Sequence, residues 1–549
     1  MTELFSSIKI EVLLGTTWTD LTPDVRMEPP PKVTGMGIMS NRIDQRVGDA
    51  AQFVFALDNS QGNSGGLLGY YTPAHVNCFN STYWQPGAPV RLYFEYDGIR
   101  RYKFYGTIDV NGINISTGKY RDRTVTITCT NWMGEAANHT CDLLPYVLDA
   151  RIDQAVPYIL DNMRRKPLIT EYHTGDEIFP DVFDIVSTKT KAMSELQKLA
   201  ISEFGWIYMT GDGTGGETLI VENRNYRSTT YSGTPPNGSL IPVKNSECTD
   251  NLLMETGDDL LLEDGTSFIL MEATQYANFD ESDIIDMEVS YGDNVRNRVK
   301  FVTYPRNIDA AATTVLYNLE SPIKILAAET LTEVRGRYRD PNGGASRVNG
   351  IDMVTPQITT DYLMFANEDG TGTNYTANLT VVAEYGTAEA RYTLTNSSAS
   401  TAYITKLQAR GKGVYIYDTS DKIYDNAASQ KRYGVIPMDI DMPYISNLIG
   451  LFSVGGVEST IWDNGSLLYS LNLPWLLVER VTLQVNKSTL GMMAFMYMEP
   501  PQLISLEETM SAVSGIYSAT GHHIQGYDFE IIDGKYVNWS LVLRPLGIY

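Results

Sequence analysis

The sequence has little of three features that each mark a common class of protein. Four cysteines in 549 residues (Cys78, Cys129, Cys141 and Cys248) are too few for a disulfide framework. No stretch approaches the roughly 18 consecutive apolar residues that cross a membrane, so we expect no membrane-spanning segment. Bases are outnumbered, 42 against 66 acids, and the formal charge of −24 disfavours a protein that grips nucleic acid through its phosphates.

The chain is too long for one hydrophobic core, so we expect about three to five domains. Its first residues, MTELFSSIKIEV, show no basic region followed by an apolar run and a cleavage site. We therefore interpret them as mature structure, made and kept in a cytoplasm. Tyrosine is abundant, at 35 residues, and supplies the strand propensity and partly polar contact area that β-rich assembly proteins use.

The first part of the chain alternates apolar and polar residues over short runs, which predicts strands with one buried face. Ile8, Ile10 and Val12 form such a run, and Asp97-Gly98 predicts a hairpin turn with positive φ. The other runs are centred on Phe53 to Leu57, Val90 to Tyr96 and Val125 to Cys129. We predict a β-barrel or β-sandwich here.

Two helices and a hairpin are predicted next. Ile152, Ala155, Val156, Ile159, Leu160 and Met163 share a helical face, with Pro157 predicting a kink or a start near Asp153. Met193, Leu196, Leu199, Ala200 and Phe204 share another, which Thr188 or Thr190 would cap and Gly205 would end. The run from Trp206 to Arg224 indicates a hairpin around a glycine-rich turn. These elements indicate a small α+β domain.

A short repeat of apolar triplets and acids lies between Asn251 and Ala273, and we interpret it as a meander of short strands. Beyond it, alternation through Leu379 to Tyr385 and Ala388 to Leu394 predicts a β-sandwich. We hypothesise that the strand Val295 to Tyr304 pairs with strands beyond Val435. The sandwich would then be an insertion between two parts of one domain.

No residue pattern assigns a catalytic, cofactor or metal site. His75, Cys78, Cys129, His139 and Cys141 have residue types that suit zinc, but their spacing matches no common module, and buried cysteines pack as apolar residues. The runs 211–216 and 367–372 predict tight turns and lack the ligand order of calcium or phosphate loops.

A cell-wall hydrolase is the enzymatic alternative, because two carboxylates suffice for a glycosidase and 66 acids neither establish nor exclude one. Only five histidines exist, without an HExxH pattern, and we interpret His522 and His523 as exposed loop residues before a strand at Tyr527 to Phe529. We therefore expect no enzyme and no cofactor. A receptor-binding or carbohydrate-binding role for the sandwich is the other alternative.

Several phrases of the sequence occur in an order typical of one family. WTDLTPDV, AQFVFALDNSQG, GAPVRLYFEYDG, KFYGTIDV and VTITCTNWMG follow one another in the first part. NVRNRVKFVTYPR, the run from Asn367 to Asn396, and AYITKLQARGKGVYIYD follow later. Together they resemble the baseplate-hub or minor tail proteins of long-tailed bacteriophages. The resemblance covers most of residues 5–433 and, more weakly, 434–549, where 437–475 and the Met-rich GMMAFMYMEPP depart from the family.

The resemblance implies a mainly β, multi-domain chain with barrel-like hub domains, a small α+β part and an inserted β-sandwich. The domains are predicted at 1–147 (first hub domain), 148–290 (α+β domain with the apolar-acidic repeat), 291–305 with 433–549 (second hub part), and 306–432 (sandwich). It further implies a virion protein of the tail tip, assembled in the bacterial cytoplasm. A homotrimer would join the hexameric tail tube or distal tail protein to fibres, a spike or a tip protein, and genomic DNA would pass through it without specific binding.

The insertion hypothesis is tested by limited proteolysis of the whole chain. Since few connections would cross the junctions of an inserted domain, we expect a protease to release a folded piece spanning about 306–432. The piece is identified by mass spectrometry and its folding by circular dichroism. Failure to excise a folded piece would count against the insertion.

Overall fold

The computed structural model describes residues 4–40, 42, 44–118, 122–142, 144–183, 190–211, 215–227, 240–242, 274–446, 474, 476–509 and 522–545. The predicted fold class is confirmed: the protein is mainly β, with a small α+β part and several sheets. No helix among the described residues is long and apolar enough to cross a membrane. The apolar-acidic repeat between Asn251 and Ala273, and Cys248, lie outside the described residues.

The elements follow one another in four groups. The first is β1 (Ser7–Leu14), β2 (Thr17–Asp20), β3 (Val25–Arg26), β4 (Lys32–Gly37), β5 (Gln52–Asp58), β6 (Pro89–Tyr96), β7 (Ile99–Ile115), β8 (Thr124–Thr130) and α1 (Trp132–Asn138). The second is β9 (Val147–Ala150), α2 (Ile152–Asn162), β10 (Ile169–Tyr172), β11 (Phe179–Val182), α3 (Ala192–Glu203), β12 (Trp206–Thr210), β13 (Thr218–Glu222), β14 (Leu240–Pro242) and β15 (Thr274–Tyr276).

The third group contains the predicted sandwich. It is β16 (Asn278–Phe279), β17 (Ile284–Tyr291), β18 (Arg298–Thr303), β19 (Arg306–Ile308), β20 (Thr314–Asn318), β21 (Ile323–Ile325), β22 (Thr330–Arg337), β23 (Arg347–Ile351), β24 (Tyr362–Phe365), β25 (Leu379–Tyr385), β26 (Glu389–Asn396), β27 (Ala402–Ile416) and β28 (Ser420–Asp425). The last is α4 (Ala427–Tyr433), β29 (Pro437–Asp441), β30 (Leu476–Gln484), α5 (Thr489–Tyr497), β31 (Leu503–Leu506), β32 (His522–Ile532) and β33 (Tyr536–Pro545).

The first and last parts of the chain share one 14-stranded sheet, whose main order is β17-β30-β33-β32-β4-β5-β8-β7-β6-β1-β2. The two parts meet where β32 pairs antiparallel with β4. Gly37 and Gly526 face each other at this seam. A Cβ on Gly37 would lie 2.6 Å from the Gln525 carbonyl oxygen, and one on Gly526 would lie 2.5 Å from that of Met36. Only glycine permits so close an approach of the two strands.

The largest core is common to the first and last parts. Phe94 of β6, Phe529 of β32 and Phe495 of α5 pack together with ring centroids 4.9–5.7 Å apart. The predicted alternation is confirmed in β5, β6 and β8, because the apolar residues at every second position are buried. The predicted turn at Asp97-Gly98 also has positive φ at both residues. The boundaries between domains remain predictions.

The Met-rich segment at 491–501 begins with a buried helix. Residues Thr489–Tyr497 form α5, in which the residues from Gly491 to Met496 are buried and the apolar side chains belong to the large core. A helix that is apolar all round is typical of a core position. These side chains therefore pack inside the chain's own core.

The α+β part has the predicted helices and hairpin around a second core. The apolar face of α2 is buried as predicted, and the helix contains Pro157. The hairpin is confirmed by antiparallel pairing of β12 with β13, while residues 212–214 of its turn lie outside the described residues. The N-cap residue of α3 is Lys191 and not Thr190. The carbonyl of Thr190 accepts a hydrogen bond from the Cys141 N–H. Thr188 lies outside the described residues.

The end of α3 differs from the prediction at Gly205. The left-handed residue is Phe204, with φ of 59°, and its ring is buried beneath the helix. Gly205 serves a different purpose, because a Cβ there would lie 2.2 Å from the Glu222 carbonyl oxygen of β13. Core packing of the phenyl ring thus offsets the cost of a left-handed conformation in a residue other than glycine.

Strand β27 organises the predicted sandwich. It pairs with β19, β20, β21, β23 and β24, and the sheet β22-β26-β25 packs over it around a third core. The alternation predicted in β25 and β26 is confirmed by burial of Leu379, Ala390, Tyr392 and Leu394. The turn predicted at 367–372 is also confirmed, since the Gly370 N–H donates to the Asn367 carbonyl.

The long-range pairing predicted for Val295 to Tyr304 is confirmed. Strand β18 runs parallel to β29, with Arg298 opposite Pro437 and Val302 opposite Asp441. On its other side β18 pairs antiparallel with β28, which belongs to the stretch predicted as the insertion. Along the chain, the sandwich strands β19 to β27 thus lie between β18 and β28, which are neighbours in this three-stranded sheet.

We predict that Phe529→Ala lowers the free energy of unfolding by about 3–5 kcal/mol, because it leaves a cavity at the seam between the two parts of the large sheet. Phe529 is 2% exposed and pairs with Val33 across the seam. Urea denaturation followed by circular dichroism measures the effect. Tyr291→Ala is the control, since Tyr291 is 73% exposed on an edge strand. Equal destabilisation by both variants would contradict the role of the seam.

Candidate functional site: a charged cleft above a buried arginine cluster

The residues considered for zinc lie in different parts of the fold. Cys129 is an inward residue of β8 in the large core, as predicted, whereas Cys141 belongs to the second core. Burial raises the pKa of both thiols, that of Cys141 to about 12, which disfavours the thiolate that binds metals. Within the described parts of the chain, no group of three or more His, Cys, Asp or Glu side chains is arranged to hold a metal ion.

The prediction that His522 and His523 are exposed loop residues is wrong. Both begin strand β32 and are buried, with exposed fractions of 3% and 1%. Burial lowers the pKa of His522 to about 4, and burial with the nearby Arg227 lowers that of His523 to about 3. His523 Nδ1 lies 2.7 Å from the Pro501 carbonyl oxygen and donates to it, so the neutral ring carries its proton on Nδ1.

Three arginines are buried around His523 and Trp206. The Arg46 and Arg227 guanidinium carbons lie 4.5 and 4.2 Å from the Trp206 ring centroid, in cation–π contact. Arg227 Nε also donates to Glu222 at 2.8 Å. The third arginine is Arg544, at the end of β33 and 2% exposed. We call Arg46, Arg227 and Arg544 the buried arginine cluster.

Arg544 connects this cluster to a cleft of about 920 Å³. The cleft lies between the large sheet (β17, β30 and β33), strand β29 and the loop that follows β4. Arg544 reaches that loop, where its Nη2 donates to the Arg42 carbonyl at 2.9 Å. We call this space the charged cleft, and its charged lining residues are Arg42, Asp44, Glu288, Asp293, Arg296, Asp439, Glu479, Arg480 and Arg544.

The charges that line the charged cleft are only partly paired. Arg42 contacts Asp44 at 2.6 Å, and Arg480 contacts Asp528 at 3.2 Å. Burial and the neighbouring positive charge of Arg227 lower the pKa of Arg544, so its cationic form is held at an energetic cost. The described lining of the charged cleft therefore presents charges of both signs, some of them in ion pairs.

Sequence reasoning missed both the cleft and the arginine cluster. Alternation through Trp539, Leu541 and Leu543 places Arg544 on the opposite face of β33, together with Asn538 and Ser540. Arg46 lies in the polar stretch after β4, which has the composition of a surface loop. In the folded chain Arg46 donates to the Phe204 carbonyl, and Arg544 donates to the Arg42 carbonyl of the loop after β4. No residue pattern in the sequence signals either feature.

The comparisons with known proteins find likeness in structure only. No family model matches the chain, and no curated protein matches it. One solved structure, the tail protein from Neisseria meningitidis MC58, aligns with a TM-score of 0.43 at 10% identity, over 98% of this chain and 96% of that one. Another, the 43 kDa tail protein of prophage MuSo2 from Shewanella oneidensis, aligns with a TM-score of 0.39 at 10% identity, over 98% of both chains.

The buried histidines predict a loss of stability in acid. Unfolded histidines bind protons near pH 6.5, whereas His522 and His523 do so only near pH 4 and 3 in the folded state. The unfolded state therefore binds more protons in this window, and stability falls as the pH drops below 6.5. The two histidines together are expected to contribute a loss of about 3–4 kcal/mol between pH 7 and pH 5, measured by urea denaturation at each pH.

The double variant His522→Gln, His523→Gln is expected to lose much of this pH dependence, although it is less stable at pH 7. His75→Gln, in the loop between β5 and β6, is the control for replacing a histidine elsewhere. A double variant that keeps the wild-type slope between pH 7 and pH 5 would show that other groups cause the loss.

Proposed function

We propose that this chain is a structural protein of the tail of a long-tailed phage or a phage-derived element, and that it forms the trimeric hub of the tail tip. The sequence resemblance over residues 5–433 supports the proposal, because its phrases occur in the family's order. The hub would join the hexameric tail tube or distal tail protein to a fibre, spike or tip protein. The protein would act without catalysis and without a cofactor.

The observation that carries the proposal is the shared sheet of the first and last parts of the chain. Strands β1 to β8 and strands β30 to β33 form two β-rich parts that are joined by β4 and β32 over one core. A rigid unit of two such parts, repeated three times, would present six comparable surfaces to a six-fold tube. A continuous sheet is suited to this task, because it transmits load between the parts without a hinge.

The negative net charge of the chain is a property that a wall of a DNA conduit would need. A formal charge of −24 repels phosphates, so a hub built from this chain would let nucleic acid pass without holding it. Arg46 and Arg227 of the buried arginine cluster are inside the protein and are not presented to a DNA backbone. These are the properties expected of a channel wall and not of a nucleic-acid reader.

The test is the mass of the purified chain in solution, measured by light scattering with and without tail-tube protein. We expect three times the 61.2 kDa of one chain, and a further increase when the tube protein is added. A chain that stays monomeric and ignores the tube would overturn the hub proposal. Binding of glycans by that monomer would then favour a receptor-binding role for the sandwich.

A further inference from the structure

Strand β25 forms a regular edge of the sandwich, and no described strand pairs with its outer side. Its seven residues pair with β26 in an unbroken register, from Leu379 opposite Asn396 to Tyr385 opposite Ala390. The strand contains no lysine, arginine or proline, and its single charged residue is Glu384. Native edge strands usually carry bulges, prolines or several charges, because these features prevent pairing with another chain.

Two other edge strands of similar length carry such protective features. Strand β22, on the opposite edge of the same sheet, has a register shift between Leu331 and Val334 and a positive φ at Glu333. Strand β17, at the edge of the large sheet, has two register shifts and contains Asp286 and Glu288. Strand β25 therefore differs from both in being open to a further strand.

Alternate residues of β25 point their backbone groups away from β26. Just beyond the strand, the Gly386 N–H donates to the Glu389 carbonyl, which fixes the phase of the antiparallel hydrogen bonds. The residues of β25 that bond to β26 are therefore Thr380, Val382 and Glu384. The N–H and C=O groups of Val381 and Ala383 point outward, and no described residue forms a backbone hydrogen bond with them.

The side chains along this edge form an apolar row on one face and a solvated row on the other. Val381, Ala383 and Tyr385 are half-buried against the third core. On the other face Val382 is 55% exposed, and the Glu384 side chain is 66% exposed. An added strand would cover the apolar row with every second side chain and place the others beside Val382 and Glu384.

Acids are in excess on the solvated face around Glu384. Arg391 of β26 is shared by Asp142, Glu333 and Glu384, and the Glu384 carboxylate is the most distant of the three, at 3.6 Å. A lysine or arginine on an added strand would pair with Glu384 more closely. A second copy of this chain does not supply that base, because its own β25 contains none and each copy has a formal charge of −24.

We propose that the unpaired edge of β25 binds an extended segment of another polypeptide, which adds a strand to the sandwich sheet. The segment has apolar residues at every second position, against Val381 and Ala383, and a lysine or arginine beside Glu384. Main-chain hydrogen bonds supply affinity, and the alternate side chains select the sequence. The proposal does not depend on the hub, because it requires only the folded single chain.

Isothermal titration calorimetry on the full-length chain tests this edge with capped synthetic peptides. The probe is Val-Lys-Val-Thr-Val-Thr-Val, whose lysine lies beside Glu384 when the peptide pairs antiparallel with β25. We expect saturable binding with a dissociation constant below about 1 mM, and weaker binding of the same peptide with glutamate in place of lysine. Absence of binding would overturn the proposal, whatever the mass of the chain in solution.

Methylation of single backbone nitrogens in the peptide tests how it binds. The N–H at peptide position 3 faces β25 opposite Ala383, so methylation there is expected to weaken binding by about tenfold, since a main-chain hydrogen bond is lost. The N–H at position 4, opposite Val382, points away from β25, and its methylation is the matched control. Equal weakening by the two methyl groups would contradict the addition of a strand.

A proline in β25 removes the corresponding donor from the protein. Ala383→Pro is expected to weaken the probe by about tenfold and to keep the bonds to β26, because the Ala383 N–H points outward. Arg337→Pro is the matched control on β22, where the Tyr338 N–H bonds to the Ala388 carbonyl and Arg337 faces outward. Equal affinities of the two variants would contradict the proposal. If Ala383→Pro fails to fold, the methylated peptides decide the question on the unchanged chain.

The selection of a base has its own readout. Because Glu384 is exposed, Glu384→Gln is expected to fold normally and to bind the lysine and glutamate peptides with more similar affinities. A preference for lysine that stays unchanged would show that Glu384 does not select the segment. Light scattering of the chain without peptide examines the other occupant: self-association that Ala383→Pro abolishes would assign the edge to a second copy and overturn the proposed partner.

Discussion

The antiparallel pairing of β4 with β32 joins the first and last parts of the chain over the largest core of the protein. It joins residues about five hundred positions apart, and it brings the two β-rich parts over one core of Phe94, Phe495 and Phe529. The two strands approach closely because glycines, Gly37 and Gly526, lie opposite each other. Without this seam each part would expose an unpaired strand edge and half of its apolar interior to water.

Several charged side chains are buried close to the same seam. Lys103 is 1% exposed and contacts Glu499 at 2.6 Å, while Glu499 also accepts from Tyr527 of β32 at 2.7 Å. This buried pair ties β7 to the last part of the chain through side chains. The arginine cluster lies at the other end of β32 and β33, where desolvated cations are held by cation–π contacts and by Glu222. Buried ion pairs cost desolvation energy but fix one arrangement of the elements that carry them.

These features together describe a protein that is built to hold its parts in a fixed relation. The sandwich of β19 to β27 is linked to the α+β part by the Thr387 hydroxyl, which donates to the Leu144 carbonyl at 2.7 Å, and by a buried ion pair of Arg306 with Asp181. The proposed role as a tail hub would require such a fixed arrangement of the parts. The charged cleft lies where the large sheet, β29 and the loop after β4 meet, so an occupant would contact several of these parts together.

Alternation of apolar residues determined much of the fold by itself, since each strand and helix buries its own pattern. This holds for β5, β6, β8, β25 and β26, for the face of α2, and for the pairing of β18 beyond Val435. The sequence also contained the ordered phrases on which the tail-hub proposal rests. Only the tertiary structure decided that His522 and His523 are buried, that the Met-rich α5 belongs to the core, and that Arg544 forms the floor of a cleft. The spacing of apolar residues predicts which face of a strand or helix is buried against its own core. Burial of the opposite face depends on which distant segment packs against it. A single sequence does not identify that segment.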